Sequence, residues 1–367
     1  MKLDRVIISG GGTGGHIFPA VAIADEIKKR NPKAEILFIG ALGKMEMEKV
    51  PAAGYRIEGL TIVGFQRKLT ISNFLLPFKI IKSLLKARSI LKEFKPQAVV
   101  GVGGYASGPT LQVATMLKLP TLVQEQNSFP GKTNKLLASK VNVLCTAYDG
   151  LEKFFPKEKI RLTGNPVRHE MVTIEGKREE AINYFGFDSS KKTVLIIGGS
   201  LGARTLNNAL VEKMSEIAAQ DEIQILWQSG KLYYEQMLEI MNQNNVNSIK
   251  LVQFIDRMDL AYAAADVIIS RAGAISVSEL CLIGKPVVLV PSPNVAEDHQ
   301  TKNAMALVNK NAAILVKDAD AKQHLFSVVF ELLEDESRML AYRSEIKKLA
   351  KPNATADIVN QLEKIAR

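Results

Sequence analysis

Cysteine is nearly absent from this sequence, which has two in 367 residues. Cys145, in VNVLCTAY, and Cys281, in SELCLIG, lie far apart in apolar contexts and fit no metal-ligand or redox spacing. That excludes a disulfide scaffold and favours buried packing thiols in a reducing cytoplasm. No apolar run approaches the ~20 residues that a membrane-spanning helix needs. The opening MKLDRVIISG carries no signal-peptide core or cleavage site and runs directly into a strand pattern.

Charge of one sign is scarce in one part of the chain. Residues 1–165 hold 25 Lys and Arg against 12 Asp and Glu, whereas the remainder holds 23 against 26. The net +10 therefore belongs to the first half. Such asymmetry points to a polyanionic partner, either nucleic acid or an anionic membrane surface.

At roughly 150 residues per domain the length suggests two domains. RVIISG, AEILFIG, AVVGVG, TLVQEQ and VNVLCTA read as strands in the first half. TVLIIGG, IQILWQSG, IKLVQFI, DVIISRAG, KPVVLVP and AAILVK do so in the second. Their near-continuous aliphatic character fits parallel strands buried on both faces. Helical patterns between them imply doubly wound α/β units. VIISGGGTGGH is echoed by VLIIGGSLGAR, so two similar Rossmann-like domains are expected, facing an interdomain cleft. Gly164 and the breaker pair Asn165-Pro166 put the boundary there, giving domains 1–164 and 165–352. The segment 353–367 reads as a separate helix that crosses back onto the first domain.

Three glycine-rich loops follow strands: Gly10–Gly15, Gly101–Pro109 and Gly198–Arg204. Glycine lets backbone approach a ligand closely, and the N–H groups and dipole at the following helix start favour an anion. One such loop alone is as readily a tight turn without a ligand; three favour a functional rim. Gly10, Gly12 and Gly15 spell G-x-G-x-x-G, but no carboxylate follows EILFIG until Glu46, which weakens a dinucleotide. A P-loop fails because His16 and Ile17 stand where Lys and Ser or Thr are required. Asp318-Ala319-Asp320 is a literal D-x-D away from all three loops. It reads as a solvated pair at a helix start, and no metal is assigned.

The densest polar constellation is SRAGAISVSELCLIGKPVVLVPSPNVAEDHQTKNA, Ser270 to Ala304. A helix after Arg271-Ala272-Gly273 can face an anion, and Glu279 farther along it can accept both hydroxyls of a ribose. A capped surface helix with solvated Glu279 would show the same letters. Across the chain, GGTGGHIFPA, GVGGYASGP, QEQNSFPGKTNK, TGNPVR, GGSLGAR, FIDRM, AAADVIISRAGAISVSEL and DHQTKNA occur in order. Together they resemble the MurG family of GT-B glycosyltransferases. The resemblance implies transfer of N-acetylglucosamine from its UDP donor to undecaprenyl-diphosphate-linked muramoyl-pentapeptide in peptidoglycan synthesis, with no separate cofactor. A related GT-B enzyme with another acceptor, a UDP-sugar epimerase and a non-catalytic nucleotide-sugar sensor remain alternatives.

By that resemblance Glu279 holds the ribose, and the backbone near Ile255 receives the uracil. Ser200 and Arg168 serve the diphosphate, Ala274 and Ser276 lie near the phosphate-sugar junction, and His299, Gln300 and Asn303 face the sugar. His299-Gln300 stands where the family often has Gln-Gln. Inverting transfer needs a base for the acceptor hydroxyl and positive groups or dipoles for the departing diphosphate. His16 is the base candidate because imidazole titrates near neutral pH; a histidine that orients the loop or the acceptor is the bland reading. Thr13, Tyr105, Glu125 and Asn127 are its expected neighbours, and Gly14 and Gly15 complete a loop expected to meet the acceptor's diphosphate. His169 and His324 read as structural or solvent-facing.

The basic half offers FLLPFKIIKSLLKARSILKEF, Phe74 to Phe94. At ~100° per residue, Ile80, Leu84, Ala87, Leu91 and Phe94 form a face for packing on the sheet. Phe78, Ile81 and Leu85 form a second apolar strip beside Lys79, Lys82 and Lys86, with Phe74 and Leu75 preceding it. Such a strip suits the anionic inner surface of a bacterial membrane, and thus a peripheral enzyme with a lipid-linked acceptor, although burial beneath a loop would also use it. Nucleic acid would favour exposed polar and stacking groups instead.

Overall fold

A computed structural model describes residues 2–62, 76–167, 172–244 and 246–366, with backbone alone at 76–78 and 296. The chain forms two compact units, one of Met1–Val167 with Lys351–Arg367 and one of Arg168–Ala350.

In the first unit β1 (Arg5–Ser9), α1 (Gly14–Arg30), β2 (Glu35–Ala41), α2 (Glu46–Ala52) and β3 (Arg56–Leu60) come first. They are followed by α3 (Leu76–Phe94), β4 (Ala98–Gly101), α4 (Ser107–Met116) and β5 (Thr121–Glu125). Then come α5 (Lys132–Leu137), β6 (Val143–Thr146) and β7 (Ile160–Leu162). The strands form one sheet in the order β3-β2-β1-β4-β5-β6-β7, parallel throughout. Val6, Ile7 and Ile8 are wholly buried because the sheet is covered on both faces. One face packs Ile17, Ile23 and Ile27 of α1, and the other packs Ala87, Ile90 and Leu91 of α3.

The second unit repeats the design. It runs through α6 (Arg178–Phe185), β8 (Lys192–Ile197), α7 (Arg204–Glu212), α8 (Met214–Ala218), β9 (Ile223–Gln228) and α9 (Tyr234–Asn244). It continues through β10 (Ile249–Val252), α10 (Met258–Ala264), β11 (Val267–Ser270), α11 (Ala274–Ile283) and β12 (Val287–Leu289). α12 (His299–Val308), β13 (Ile314–Leu315), α13 (Ala321–Glu334) and α14 (Glu336–Lys348) complete it. Its parallel sheet has the order β10-β9-β8-β11-β12-β13. The echo between the glycine sequences is therefore an echo of topology. In both sheets the strand order reverses beside the first strand, at β1/β4 and at β8/β11. Ligands of open α/β sheets bind at such reversals, beyond the carboxyl ends of the strands.

The terminal helix α15 (Ala354–Ile365) lies in the first unit. Its Ile358, Val359 and Leu362 enter the same core as α1. Arg30, in the last turn of α1, donates to Asn360 Oδ1 at 2.8 Å and to the Ala356 carbonyl at 3.0 Å. Both thiols are buried, and burial pushes each up to about 12, so they pack rather than react.

Two strands escape an apolar-run reading. β3 carries Arg56 and Glu58 and lies at one sheet edge, and β7 is three residues long at the other. Edge strands have one flank in solvent and need no continuous apolar run. Helix α3 also differs from its expected faces. Ala87, Ile90 and Leu91 are buried, with Ser83 among them donating to the Thr61 carbonyl at 2.7 Å. Ile80, assigned to the packed face from periodicity, is instead 47% exposed and joins Ile81 at 53% and Leu85 at 61%. Lys86 donates to the Gly59 carbonyl at 2.7 Å and lies 3.7 Å from Glu58. Phe74, Leu75 and the side chain of Phe78 lie outside the described residues.

Candidate functional site

In the first unit the reversal at β1/β4 sets two glycine loops against each other. Gly11 and Gly12 follow β1 with φ of +152° and +87°, and Gly103 and Gly104 follow β4 with φ of +92° and +82°. A side chain on Gly104 would enter the Gly11 backbone, and one on Gly103 would come 2.9 Å from His16 Nε2. Glycine is required here by close approach as well as by conformation.

Glu46, in the first turn of α2, is 1% exposed and reaches back to this loop. Its Oε2 accepts the Gly12 N–H at 2.8 Å and its Oε1 accepts the Ala41 N–H at 2.9 Å. The carboxylate missing as a ribose acid thus engages the glycine loop of its own chain. His16, half-buried in the first turn of α1, places Nδ1 at 3.0 Å from the Gly11 carbonyl and 3.3 Å from Thr13 Oγ1. A carbonyl only accepts, so Nδ1 carries the proton, and Nε2 is the acceptor of the neutral ring. Thr13 precedes the helix in extended conformation, with Gly14 and Gly15 opening α1.

The end of β5 and the loop after it bring Glu125 and Asn127 to the same end of the sheet. Glu125 is buried and accepts from the Asn127 N–H at 3.0 Å, Asn127 Nδ2 at 3.4 Å, the Gly131 N–H at 3.1 Å and Asn134 Nδ2 at 2.8 Å. Burial raises its pKa above the usual carboxylate value despite these donors. Expected from the sequence beside the base, it holds the 126–131 loop and Asn134 in the first turn of α5. Asn127 is half-buried and Tyr105 exposed. Beside them Gln126 Nε2 donates to the Val102 carbonyl at 2.8 Å, tying the loops after β4 and β5 together.

In the second unit Ser200 sits exposed on the loop after β8. Gly202 and Gly230 are in such close contact that a side chain on either would strike the other loop's backbone. Gln228, at the end of β9, spans two loops: Nε2 donates to the Gly199 carbonyl at 3.0 Å, and Oε1 accepts the Ile255 N–H at 3.0 Å. The backbone position expected to meet a base is thereby registered to the loop expected to meet phosphate.

The loop after β11 leads into α11, where Ala274 is the first residue and Gly273 the N-cap. Ser276 and Glu279 are half-buried on this helix. Tyr262 of α10 is wholly buried and donates its hydroxyl to Glu279 Oε2 at 3.3 Å. Burial, reinforced by the Glu279 charge, raises the phenol well above the ordinary tyrosine value, so it stays a donor. His299 and Gln300 begin α12 after two consecutive left-handed residues, Glu297 at φ +56° and Asp298 at φ +51°. Non-glycine residues in that region store strain and often mark functional turns. Gln300 Oε1 accepts the Ser292 N–H at 2.8 Å.

Asn303 is engaged within the chain. It is 0% exposed and donates to the Ala272 carbonyl at 3.3 Å, so it braces the loop before α11. The D-x-D aspartate Asp318 pairs with Arg271 and accepts from Thr205 Oγ1 at 2.9 Å, tying α7 to the loop after β11. Among the described residues no group of acidic, histidine or cysteine side chains is arranged to hold a metal ion. Arg168 and His169 lie outside the described residues. Glu46, Gln228 and Tyr262 have no motif in sequence. Gly12, Ile255 and Glu279, which they respectively engage, lie 34, 27 and 17 positions away, and only folding brings these together.

The chain matches the glycosyltransferase family 28 N-terminal domain over residues 6–146 and the family's C-terminal domain over residues 193–362. It is 54% identical over 366 residues to a Flavobacterium psychrophilum protein, covering 100% of this chain and 98% of that one. That relative is named UDP-N-acetylglucosamine--N-acetylmuramyl-(pentapeptide) pyrophosphoryl-undecaprenol N-acetylglucosamine transferase. Among solved structures, MurG of Acinetobacter baumannii superposes with a TM-score of 0.81 at 29% identity, over 98% of this chain and 99% of that one. A Neisseria meningitidis UDP-GlcNAc 2-epimerase, solved bound to UDP-GlcNAc, reaches a TM-score of 0.68 at 16% identity over 98% and 100% of the two chains, a likeness of fold alone.

Proposed function

This chain belongs to glycosyltransferase family 28, within it to the MurG transferases, and from that premise we propose how its residues divide the work. The fold is GT-B-like, and the enzyme transfers N-acetylglucosamine to lipid I to make lipid II in peptidoglycan synthesis. The second unit takes UDP-N-acetylglucosamine. The observation that carries this assignment is Glu279, a half-buried carboxylate steadied by the Tyr262 hydroxyl beyond the strand-order reversal. Its oxygens accept the ribose hydroxyls. The backbone at Ile255, aligned by Gln228, meets the uracil. Ser200, the start of α11 at Ala274, Ser276 and Arg168 receive the diphosphate, where N–H groups and the helix dipole favour negative charge. His299 and Gln300 meet the sugar, with Asn303 bracing from below.

The first unit takes the acceptor. His16 Nε2 removes the proton from the muramoyl C4 hydroxyl as that oxygen attacks the anomeric carbon from the side opposite UDP. The order of bonds inverts the anomeric centre without a covalent sugar-enzyme intermediate. Thr13, Gly14, Gly15, Tyr105 and Asn127 line the acceptor's path, and Glu125 acts as a positioning residue by holding the Asn127 loop. Because Gly12 already donates to Glu46, the acceptor diphosphate is assigned to the Gly14 and Gly15 end of the loop.

No helix among the described residues is long and apolar enough to cross a membrane. The acceptor's lipid is reached from the cytoplasmic face through α3, where Ile80, Ile81 and Leu85 are exposed beside Lys79 and Lys82. Burial of apolar side chains in the interface adds to attraction for anionic headgroups. The direct test incubates the protein with labelled UDP-N-acetylglucosamine and lipid-linked muramoyl-pentapeptide. Label moving into the lipid fraction is the expected result. Conversion of free UDP-sugar without an acceptor would replace this reading with an epimerase, and folded protein that binds donor without turnover would replace it with a sensor.

A further inference from the structure

The Gly11–Gly12 peptide is held at both ends. Its N–H donates to Glu46 Oε2 at 2.8 Å, and its C=O accepts from His16 Nδ1 at 3.0 Å. One peptide unit therefore separates a buried carboxylate from the protonated ring nitrogen of the base. We propose that Glu46 is a positioning residue that holds His16 in its Nδ1–H tautomer through this peptide, leaving Nε2 to accept the acceptor's proton.

Three features support the coupling. A carboxylate on a peptide N–H is a charge-assisted bond that fixes the amide plane. Bonds in series polarise one another, so the charge on Glu46 makes the Gly11 carbonyl a stronger acceptor for Nδ1–H. The peptide is also locked from behind, because Gly104 lies against the Gly11 backbone too closely for any side chain. A catalytic base is commonly oriented by a third group on its other nitrogen, usually a carboxylate in direct contact. Here the carboxylate acts one peptide away.

The proposal rests on His16 being the base. In the step it serves, the acceptor O–H bond breaks and its proton goes to Nε2. The freed oxygen forms a bond to the anomeric carbon, and the bond from that carbon to the UDP oxygen breaks, its electron pair leaving with UDP. His16 ends the step as a cation, which the Glu46 charge stabilises along the same chain of bonds.

The test uses protein labelled with ¹⁵N-histidine, whose four histidines give few signals, with His16 assigned by its loss in His16→Gln. Wild type should show protonated Nδ1 and unprotonated Nε2. In Glu46→Gln, nearly the same size, the Nδ1 proton signal should move upfield and the other tautomer should become populated. In that variant kcat should fall about tenfold, part of the ~10²–10⁴ a general base supplies, with KM for UDP-N-acetylglucosamine unchanged. Glu46→Asp, which keeps the charge at shorter reach, should fall between the two and serves if the Gln variant does not fold. Identical His16 ring signals in wild type and both variants would overturn the proposal. Full turnover by His16→Ala would instead overturn the base assignment beneath it.

Discussion

Tyr262 donates its hydroxyl to Glu279 Oε2 at 3.3 Å from a wholly buried position on the neighbouring helix. Burial keeps the phenol protonated, so the hydroxyl remains a donor to the carboxylate across the working pH range. Glu279→Ala should raise KM for UDP-N-acetylglucosamine at least tenfold, since bonds to charged groups contribute about 1.5–3 kcal/mol. Tyr262→Phe should raise it severalfold and narrow the preference for UDP over its 2′-deoxy analogue as an inhibitor. If Tyr262 merely fills space, the phenylalanine variant will keep that preference intact.

His16→Ala should lower kcat by about 10²–10⁴ while UDP-donor affinity, measured by calorimetry, stays near wild type. Affinity should be spared because the residues proposed to hold the donor belong to the second unit. A variant with normal turnover across the pH range would exclude an essential base at this position.

Changing both Ile81 and Leu85 to Ser removes apolar surface that the core does not use, since both side chains are more than half exposed. Folding and transfer to a short-chain soluble acceptor should survive. Sedimentation with anionic vesicles should fall severalfold. Unaltered vesicle binding would remove α3 from the membrane contact.

Leu362→Ala should destabilise the first unit by about 2–5 kcal/mol, the usual cost of truncating a buried leucine, because Leu362 packs wholly buried in the α1 core. Arg30→Ala should cost less, as its bonds to Asn360 and the Ala356 carbonyl are partly exposed. Thermal unfolding of the two variants would check the order. A Leu362 variant as stable as wild type would mean that α15 adds nothing to this core.

Aliphatic runs marked nearly every central strand because a strand covered on both faces takes mostly apolar side chains, and its few buried polar ones, such as Gln124 and Gln228, are hydrogen-bonded. The ordered glycine motifs led to the family for a related reason: backbone that must approach backbone or ligand admits few residue types. Edge strands β3 and β7 were illegible because charged residues interrupt them, Arg56 and Glu58 in one and Arg161 in the other, which an edge position permits without requiring; the edge strands β10 and β13 kept their aliphatic runs. Ile80 was misplaced because angular periodicity says which residues share a face and leaves open how far the neighbouring element covers it.

By itself the sequence determined which residue types stand beyond each strand, the repeat of one α/β plan, and membership of a transferase family. The tertiary structure alone decided what those residues do for one another. It turned Glu125 and Asn303 into buried braces, aimed Tyr262 at Glu279, and closed the Glu46 carboxylate onto the peptide that His16 also holds. The reason is that a hydrogen bond depends on distance and direction between groups remote in the chain. Composition and spacing record the groups, and only packing supplies the ångströms.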